Sequence, residues 1–385
     1  MRPLDGVRVL DLSRLLPGPF ATLVLADLGA TVDKLEDDDA GDYLRYMPPY
    51  ADGVSVAFSG LNRGKRSLVM NLKMPGAADA FRKLARSYDV VFDQFRPGVL
   101  DRLGAGHDVL MTDNPRLVIC ALTGYGQTGP LRDRAGHDLN YVARSGLLGL
   151  MGPEDRPPQL PSFQLADVGG GLFSVVGILA ALRERDRTGK GTVLDVAMTD
   201  AVLPFATITL AGLFGGLTPS RGAEALTGGI AAYSTYATKD GESVTLAALE
   251  PKFLKRFTDG AGMPFDASAL VPGPHQAALK ESFRAMFSSK TRAEWAEFGK
   301  EHDCCIEPVV KPDELFADPQ LAARGVFRRI ESGGTAFYQY RTPVTPHDLE
   351  ASPPPGSGEH TDRILGEAGF SEADVLALRA ANIVR

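Results

Sequence analysis

The first 36 residues place the strongest constraint on the fold. Apolar runs separated by a Pro/Gly turn predict a strand at residues 7–12, a turn at 16–19, a helix at 20–28 and a second strand at 31–35. Two parallel strands joined through a helix form a β-α-β unit, and such a unit needs helices packed on the faces of its sheet. The opening therefore predicts an α/β fold.

The same alternation continues along the chain. Strand candidates at residues 67–71, 90–92 and 117–122 alternate with helical stretches such as 77–87. After Asp167 a glycine run leads into a helix through Arg183, and the segment GKGTVLDVAM adds a strand. We therefore predict a large lobe with a mostly parallel sheet wrapped by helices.

A chain of 385 residues is long enough for two domains, since domains usually hold about 100–200 residues. Residues 218–229 are rich in Gly, Ser and Thr, which predicts a boundary there. We assign residues 1–225 to the large domain and residues 226–330 to a smaller α+β domain with strands at 231–238 and 243–249. Residues 331–385, which end in a predicted helical stretch, are expected to return to the large domain.

Composition excludes several classes of function. The formal net charge of -7 is spread along the chain, which argues against a nucleic-acid or membrane-surface partner. Cys120, Cys304 and Cys305 form no metal-ligand or disulfide pattern, so neither a metal site nor an extracellular framework is indicated. The apolar stretches are broken before the roughly 20 residues that a membrane span needs. We expect a cytoplasmic protein.

Several motifs resemble the class III CoA-transferase family (CaiB/BaiF-like), which also contains the α-methylacyl-CoA racemases. The similarity runs along nearly the whole chain, in the segments LDGVRVLDLSRLLPGPFATLVLADLGATV, NRGKRSLVMNLK, FRPGVLDRLG, NPRLVICALTGYGQTGP, GHDLNY, GKGTVLDVAM and GEHT. The resemblance implies a Rossmann-like large domain, a small domain late in the chain and an interlocked homodimer. The His of GHDLNY, and LTGGIAAYSTY followed by ALEPKF, favour the racemase branch.

Racemisation beside a thioester carbonyl needs two acid/base groups, because one α-proton is removed and another returns to the opposite face of a flat enolate. By resemblance the pair is His137 and Asp167, which stand 167 − 137 = 30 residues apart, and Glu250 orients the histidine. Imidazole titrates near pH 6.5, whereas a carboxyl with an ordinary pKa of about 3.9 would need a dry pocket to take part. The predicted reaction interconverts (2R)- and (2S)-2-methylacyl-CoA.

Further site residues are expected around this pair. Gly169 and Gly170, with Gly171, follow Asp167 and precede an apolar helical run, so their N–H groups and the helix end could hold the enolate oxygen. Tyr141 lies four residues after His137 and could form a wall or donate a hydrogen bond. No metal, nicotinamide or flavin is expected, and coenzyme A enters only as part of the substrate.

Coenzyme A carries three phosphates near an adenine ring, so its site needs basic groups beside an apolar slot. The sequence offers Arg63, Lys65 and Arg66 in NRGKRS, although these could equally be structural. By resemblance, Met70 and Lys73 line the adenine end, Gln94 and Phe95 flank the nucleotide, and Arg102 reaches the phosphates. The turn containing Leu16 and Pro17 would approach the pantetheine arm. Asp37, Asp38 and Asp39 stand where the family often has a basic residue.

Three other functions remain open. A CoA transferase of the same family would use Asp167 as a nucleophile, form an aspartyl-CoA intermediate, and need no His137. A nicotinamide-dependent dehydrogenase would carry GxGxxG in its first turn, where this chain has LLPGPF. A non-catalytic scaffold is disfavoured because the acid/base residues are present. Outside the family context, His137 reads as a surface residue and Asp167 as a helix cap.

Overall fold

A computed structural model describes residues 2–332, 335–350 and 352–385. The chain divides into two compact units. The first unit contains residues 1–145, 163–204 and 319–385, and the second contains residues 146–162 and 205–318. The second unit thus begins at Phe205, earlier than the predicted 226, and also takes up 146–162. The return to the first unit comes at Pro319, not at 331.

A six-stranded parallel sheet forms the centre of the first unit, with strand order β5-β2-β1-β6-β7-β8. The described strands of the whole chain are β1 Arg8–Asp11, β2 Thr31–Glu36, β3 Tyr50–Ala51, β4 Val54–Ser55, β5 Arg66–Val69, β6 Val90–Asp93, β7 Val118–Thr123, β8 Thr192–Ala197, β9 Tyr233–Ala237, β10 Ser243–Ala247, β11 Ile306–Pro308, β12 Phe327–Ser332 and β13 Thr335–Tyr340. Strands β6 and β7 are buried along their whole length, as expected where helices cover both faces of a sheet. The predicted α/β fold is confirmed.

Helices connect these strands and cover the sheet. They are α1 Pro17–Asp27, α2 Val56–Asn62, α3 Ala77–Ala85, α4 Val99–Arg102, α5 His107–Asp113, α6 Asp138–Arg144, α7 Leu165–Thr188, α8 Met198–Val202, α9 Thr207–Phe214, α10 Pro251–Gly260, α11 Gln276–Phe287, α12 Arg292–His302, α13 Pro319–Ala323, α14 Thr361–Glu367 and α15 Glu372–Ala380. Shorter helical turns lie at Tyr43–Tyr46, Leu147–Leu150, Leu203–Ala206, Ala225–Gly229, Ala267–Leu270 and Pro312–Ala317.

Helix α1 begins earlier than the sequence predicted. The residues assigned to a turn, 16–19, form its first turn, with Pro17 at the start and Leu16 as the N-cap. A proline fits the first helical position because its missing N–H would have no partner there. A Cβ on Gly18 would lie 2.2 Å from the Ser13 Cβ, so this position accepts only glycine without rearrangement.

Helix α7 packs closely against its neighbours through its glycines. A Cβ on Gly170 would lie 2.8 Å from Met198 of α8, and a Cβ on Gly171 would lie 2.8 Å from the Pro17 carbonyl oxygen of α1. By length and composition alone α7 could cross a membrane, yet half of its apolar window is buried. These contacts make α7 a core helix of the first unit.

The C-terminal segment belongs to the first unit and packs beside β5. The His360 N–H donates to the Ser67 carbonyl oxygen at 2.9 Å, and the Asn71 N–H donates to the Ile383 carbonyl oxygen at 2.8 Å. Ile364 and Leu365 are fully buried in the core with residues of β5 and α3. His360 therefore contacts the sheet from the C-terminal segment.

The second unit has its own core around a three-stranded antiparallel sheet of order β11-β10-β9. Trp295 is fully buried, and its indole N–H donates to the Phe287 carbonyl oxygen at 2.8 Å. The Phe287 ring stacks on Phe257, with ring centroids 5.5 Å apart. This aromatic cluster lets the second unit bury its own core beside a short sheet.

The close approach of α7 and α1 gives a stability prediction. Gly171→Ala should lower the free energy of unfolding by about 1–3 kcal/mol, because the added methyl group would collide with the Pro17 backbone. The control is Gly60→Ala in α2, where no heavy atom lies within 4 Å, and it should be neutral or stabilising by up to about 1 kcal/mol. Urea denaturation checks both. A Gly171→Ala protein as stable as the control would contradict the packing described here.

Candidate active site

The first turn of α7 carries Asp167. Gln164, the N-cap residue of α7, makes no side-chain capping hydrogen bond. The Asp138 carboxylate takes that role, because its Oδ1 accepts the N–H groups of Ala166 at 2.7 Å and of Asp167 at 3.0 Å. A carboxylate at this position satisfies free N–H groups and interacts favourably with the positive helix end. The start of α7 is therefore held by a residue of α6.

His137 is exposed and immediately precedes α6 as its N-cap residue. Its backbone N–H donates to the Asn140 side-chain oxygen at 3.0 Å, and its carbonyl oxygen accepts the Asn140 N–H at 2.8 Å. These bonds fix the backbone from which the imidazole projects. Because the next residue, Asp138, binds the Asp167 N–H, the two predicted acid/base residues belong to one hydrogen-bonded arrangement.

Burial raises the pKa of the Asp167 carboxyl to about 7, and the nearby Asp138 carboxylate adds to the shift. Both effects disfavour a second negative charge in a poorly solvated place. A group that titrates near neutral pH is present in both protonated and ionised forms and can therefore act as an acid or as a base. The acid/base role of Asp167 stays a prediction.

Tyr141 lies close enough to Asp167 for the charge of that carboxyl to affect its hydroxyl. Its hydroxyl donates to the Gly136 carbonyl oxygen at 2.5 Å, and its ring meets Tyr125 edge-on, with centroids 5.1 Å apart. Burial, with the Asp167 charge, raises the pKa of Tyr141 to about 12. The hydroxyl thus stays protonated near neutral pH, with its proton directed at Gly136.

The oxyanion role predicted for Gly169 and Gly170 does not fit the structure. Helix α7 begins at Leu165, so both glycines lie within the helix and not before it. The Val168 N–H already donates to the Gln164 carbonyl oxygen, and the N–H groups that follow face intrahelical carbonyls. Gly170 instead permits close packing, since a Cβ at this position would also crowd Leu122.

Glu250 lies in the second unit, where it is exposed and precedes α10 as its N-cap residue. Burial raises the pKa of the Cys305 thiol, and the Glu250 charge adds to that shift. His137 belongs to the first unit. The orienting role of Glu250 toward the histidine therefore stays a prediction.

A cavity of about 170 Å³ opens at the carboxyl ends of β1, β2, β5 and β6. In open parallel sheets this edge is where ligands bind. Three predicted CoA-binding residues, Met70, Lys73 and Phe95, line the cavity. The other lining residues are Leu12, Ser13, Arg14, Leu35, Glu36, Asp37, Gly41, Asp42, Asn71, Leu72, Val99 and Leu103.

Gln94, Leu16, Pro17 and Arg102 lie outside the cavity wall. The Gln94 side chain accepts the Gly18 N–H at 3.1 Å and donates to the Arg14 carbonyl oxygen at 3.2 Å. It thereby ties the loop after β6 to the start of α1, next to Leu16 and Pro17. Arg102 is exposed at the end of α4, so its guanidinium is accessible.

The basic residues of NRGKRS are structural. The Lys65 ammonium is buried and binds Asp11 at 3.2 Å, the Thr22 hydroxyl at 2.7 Å and the Asn62 amide oxygen at 2.9 Å. Arg63 pairs with Asp27 at 2.6 Å, and Arg66 pairs with Asp33 at 2.6 Å. Their charges are paired within the first unit, and these three residues are not part of the wall of the cavity at the sheet edge.

Asp37 lines the cavity, while Asp38 and Asp39 follow it on the exposed loop after β2. The Asp37 carboxylate accepts the N–H groups of Ala40 at 3.0 Å and Gly41 at 2.9 Å. This acidic residue therefore shapes the loop. The accessible cations lining the cavity are Arg14 and Lys73.

Sequence reasoning missed two residues at the site. Asp138 is the carboxylate that joins α6 to α7, and its only signal was its place after His137 in GHDLNY. Arg96 is exposed, and its charge lowers the pKa of Tyr141 against the larger effect of burial. Its signal was the motif FRPG, which begins at Phe95. The family resemblance indicated Phe95 and the residue before it, Gln94, but not Arg96.

His107 is half-buried and lies outside the predicted site. It bonds the Asp93 carboxylate through Nε2 at 2.8 Å, which raises the pKa of the imidazole. The second Asp93 oxygen accepts the Phe95 N–H at 2.8 Å. Within residues 2–332, 335–350 and 352–385, no group of three or more His, Cys, Asp or Glu side chains could hold a metal ion.

The raised pKa of Asp167 gives a pH-dependent stability prediction. Between about pH 4 and pH 7 the folded protein keeps a proton on Asp167 that the unfolded chain has lost, so stability falls as pH rises through this window. Asp167→Asn removes the effect and should be more stable than the parent at pH 8, but not at pH 4. The difference should grow by at most about 1.4 kcal/mol per pH unit. Urea denaturation across this range tests it, and a pH-independent difference would contradict the shift.

Known proteins are similar to this chain over nearly its whole length. It is 36% identical to the human alpha-methylacyl-CoA racemase over 393 residues, which cover 99% of this chain and 97% of that protein. It is 35% identical to a succinate–glutarate CoA-transferase of Agrobacterium fabrum, with 95% of each chain covered. A CaiB/BaiF family protein from Brucella suis has a similar structure, with a TM-score of 0.81, 32% identity and coverage of 95% of this chain and 99% of that one.

The model of CoA-transferase family III matches residues 4–361. This match spans both compact units and includes His137, Asp167 and the cavity at the sheet edge. The relatives at similar identity include both racemases and CoA-transferases, and each match extends over nearly the whole chain. The chain belongs to CoA-transferase family III.

Proposed function

We propose that this protein is a racemase that interconverts (2R)- and (2S)-2-methylacyl-CoA thioesters. The observation that carries the proposal is an Asp167 carboxyl with a pKa near 7, hydrogen-bonded through its backbone to the residue that follows His137. Proton transfer in both directions needs groups available in both protonation states near neutral pH. The similarity to a protein named alpha-methylacyl-CoA racemase over 97% of its length also supports this function.

In the proposed reaction one group takes the proton from C2, and the C–H electron pair moves into an enolate whose charge lies on the thioester oxygen. The second group, on the opposite face, gives a proton to C2, and the carbonyl re-forms. Atoms and charge balance, because one proton leaves and one arrives. His137 serves one face and Asp167 the other, so each works as base in one direction and as acid in the other.

The CoA portion would bind at the sheet edge. The cavity at the ends of β1, β2, β5 and β6 offers apolar walls such as Met70 and Phe95 for an adenine ring. Lys73 and Arg14 at its wall are accessible cations for phosphates. The proposed reaction consumes no metal, nicotinamide or flavin, since the protons are exchanged with side chains alone.

A CoA transferase is the second candidate, and it is favoured by the 35% identity to a succinate–glutarate CoA-transferase. Asp167 would then attack the thioester carbonyl as a carboxylate, release the CoA thiolate and form a mixed anhydride. A nucleophile reacts in its ionised form, and a pKa near 7 leaves Asp167 partly protonated at neutral pH.

Single substitutions distinguish these reactions. His137→Ala should reduce epimerisation by about 10²–10⁴-fold while preserving α-proton exchange with D₂O from the epimer that Asp167 serves. Asp167→Ala should likewise reduce epimerisation, but it should preserve exchange from the epimer that His137 serves, since each base serves one face. Mass spectrometry of the recovered thioester measures the exchange, with His347→Ala, at an exposed position, as the control. If His137→Ala stays fully active and hydroxylamine traps an aspartyl adduct, the transferase function replaces this proposal.

We further propose a homodimer, as the resemblance to the family implies. Leu172, Phe173, Val176 and Leu179 form an exposed apolar stripe on α7, and Val176 is 62% exposed. A second copy of the chain would remove this stripe from water.

Sedimentation should give a dimer at micromolar concentration. Val176→Asp should shift the population toward monomer, because a buried unpaired charge is costly, whereas Glu184→Gln at an exposed position of the same helix should not. A parent protein that sediments as a monomer would contradict the dimer.

A further inference from the structure

Asp138 is the buried carboxylate that connects the two predicted acid/base residues. It is 9% exposed, and its Oδ1 accepts the N–H groups of Ala166 and Asp167 at 2.7 and 3.0 Å. It directly follows His137 and begins α6. One side chain thus fixes the backbone of Asp167 relative to the backbone of His137.

The carboxylate replaces a cap that α7 lacks in its own sequence. The N-cap residue Gln164 makes no capping bond, and the first turn of α7 would leave the Ala166 and Asp167 N–H groups unsatisfied. Oxygen acceptors of Asp and Asn are nearly equivalent as caps, so the hydrogen bonds alone do not require a charge. The charge of Asp138 has a further consequence beside the helix end, because this carboxylate lies against the backbone of Asp167, which is itself ionisable.

The surroundings of Asp167 contain few other charges. From α6 it is approached by Asp138 and Tyr141, and Tyr141 is in turn influenced by Tyr125 and Arg96. The other elements packed on α7 present apolar groups near its glycines: Met198 from α8 at Gly170, and Pro17 and Phe20 from α1 at Gly171. In such poorly solvated surroundings, water screens the charge of a neighbouring carboxylate only weakly.

We propose that Asp138 is a positioning residue with two roles: its oxygen holds the Asp167 helix against the His137 backbone, and its negative charge opposes the ionisation of Asp167. This proposal rests on the proposed function only in treating Asp167 as a reacting group, a feature that the racemase and the transferase share. Asp138 itself exchanges no proton with the substrate.

The test separates the two roles of Asp138. Asp138→Asn keeps an oxygen that can accept both N–H groups and removes only the charge. The titration of Asp167 is obtained without any activity assay, from the pH dependence of the stability difference between proteins with Asp and with Asn at position 167. In the Asp138→Asn background this titration should move to lower pH by about one unit or more.

Activity gives the second readout. The Asp167-dependent rate should show the same downward shift in its pH profile in Asp138→Asn, whereas Asp138→Ala, which also removes the acceptor, should additionally lower the maximal rate. The control is Asp133→Asn in the preceding loop, with a side chain 80% exposed, which should change neither profile.

An Asp167 titration that does not move in Asp138→Asn, with stability lowered equally at every pH, would make Asp138 a structural cap alone and overturn the proposal. A titration that moves, in a protein that exchanges no α-proton in either background, would support the role of Asp138 while contradicting the proposed racemase function. The two failures are therefore distinguishable.

Discussion

The close packing of α7 against α1, α8 and the sheet fixes the geometry of the whole site. Gly170 and Gly171 let the helix approach so closely that a single added carbon would meet Met198 or the Pro17 backbone at 2.8 Å. Protein interiors pack densely, so a helix held in this way has little freedom to slide or rotate. Asp167 lies one turn before these glycines, and its position follows from their contacts.

The same packing determines the chemistry of Asp167. A helix start surrounded by protein removes water from the carboxyl, and the Asp138 carboxylate that completes the helix adds a like charge nearby. Together they bring the pKa to about 7, at a cost in stability that is felt above the ordinary pKa of an aspartate. The site therefore combines a firmly packed scaffold with one ionisable group held in an unfavourable environment, as is common where a residue must exchange protons.

Much of the fold was predictable because its signals are local. Buried parallel strands such as β6 and β7 are continuous apolar runs, and the alternation of strands with helices indicates their common direction. Helix starts were less predictable: Pro17 reads as a turn residue but occupies the first position of α1, and the glycines after Asp167 lie within α7. Unit boundaries also differed, because residues 146–162 join the second unit through contacts distant in sequence.

For the site, the family motifs predicted His137 and Asp167 and three residues that line one cavity, Met70, Lys73 and Phe95. Contacts in space decided the roles of other residues. Lys65 has the composition of a phosphate-binding residue, yet Asp11 lies 3.2 Å from its ammonium. The role of Asp138 depends on two N–H groups nearly thirty positions away, which no local pattern indicates.

The most direct test of the proposed function uses the unmodified protein in D₂O. Each epimer of a short and of a long 2-methylacyl-CoA is incubated separately, with no free carboxylic acid added, and the product is analysed for configuration and for deuterium at C2. A racemase converts either epimer to the same mixture and incorporates deuterium. No deuterium uptake, together with movement of CoA from the thioester to a carboxylate that is added in a parallel incubation, would contradict the proposal.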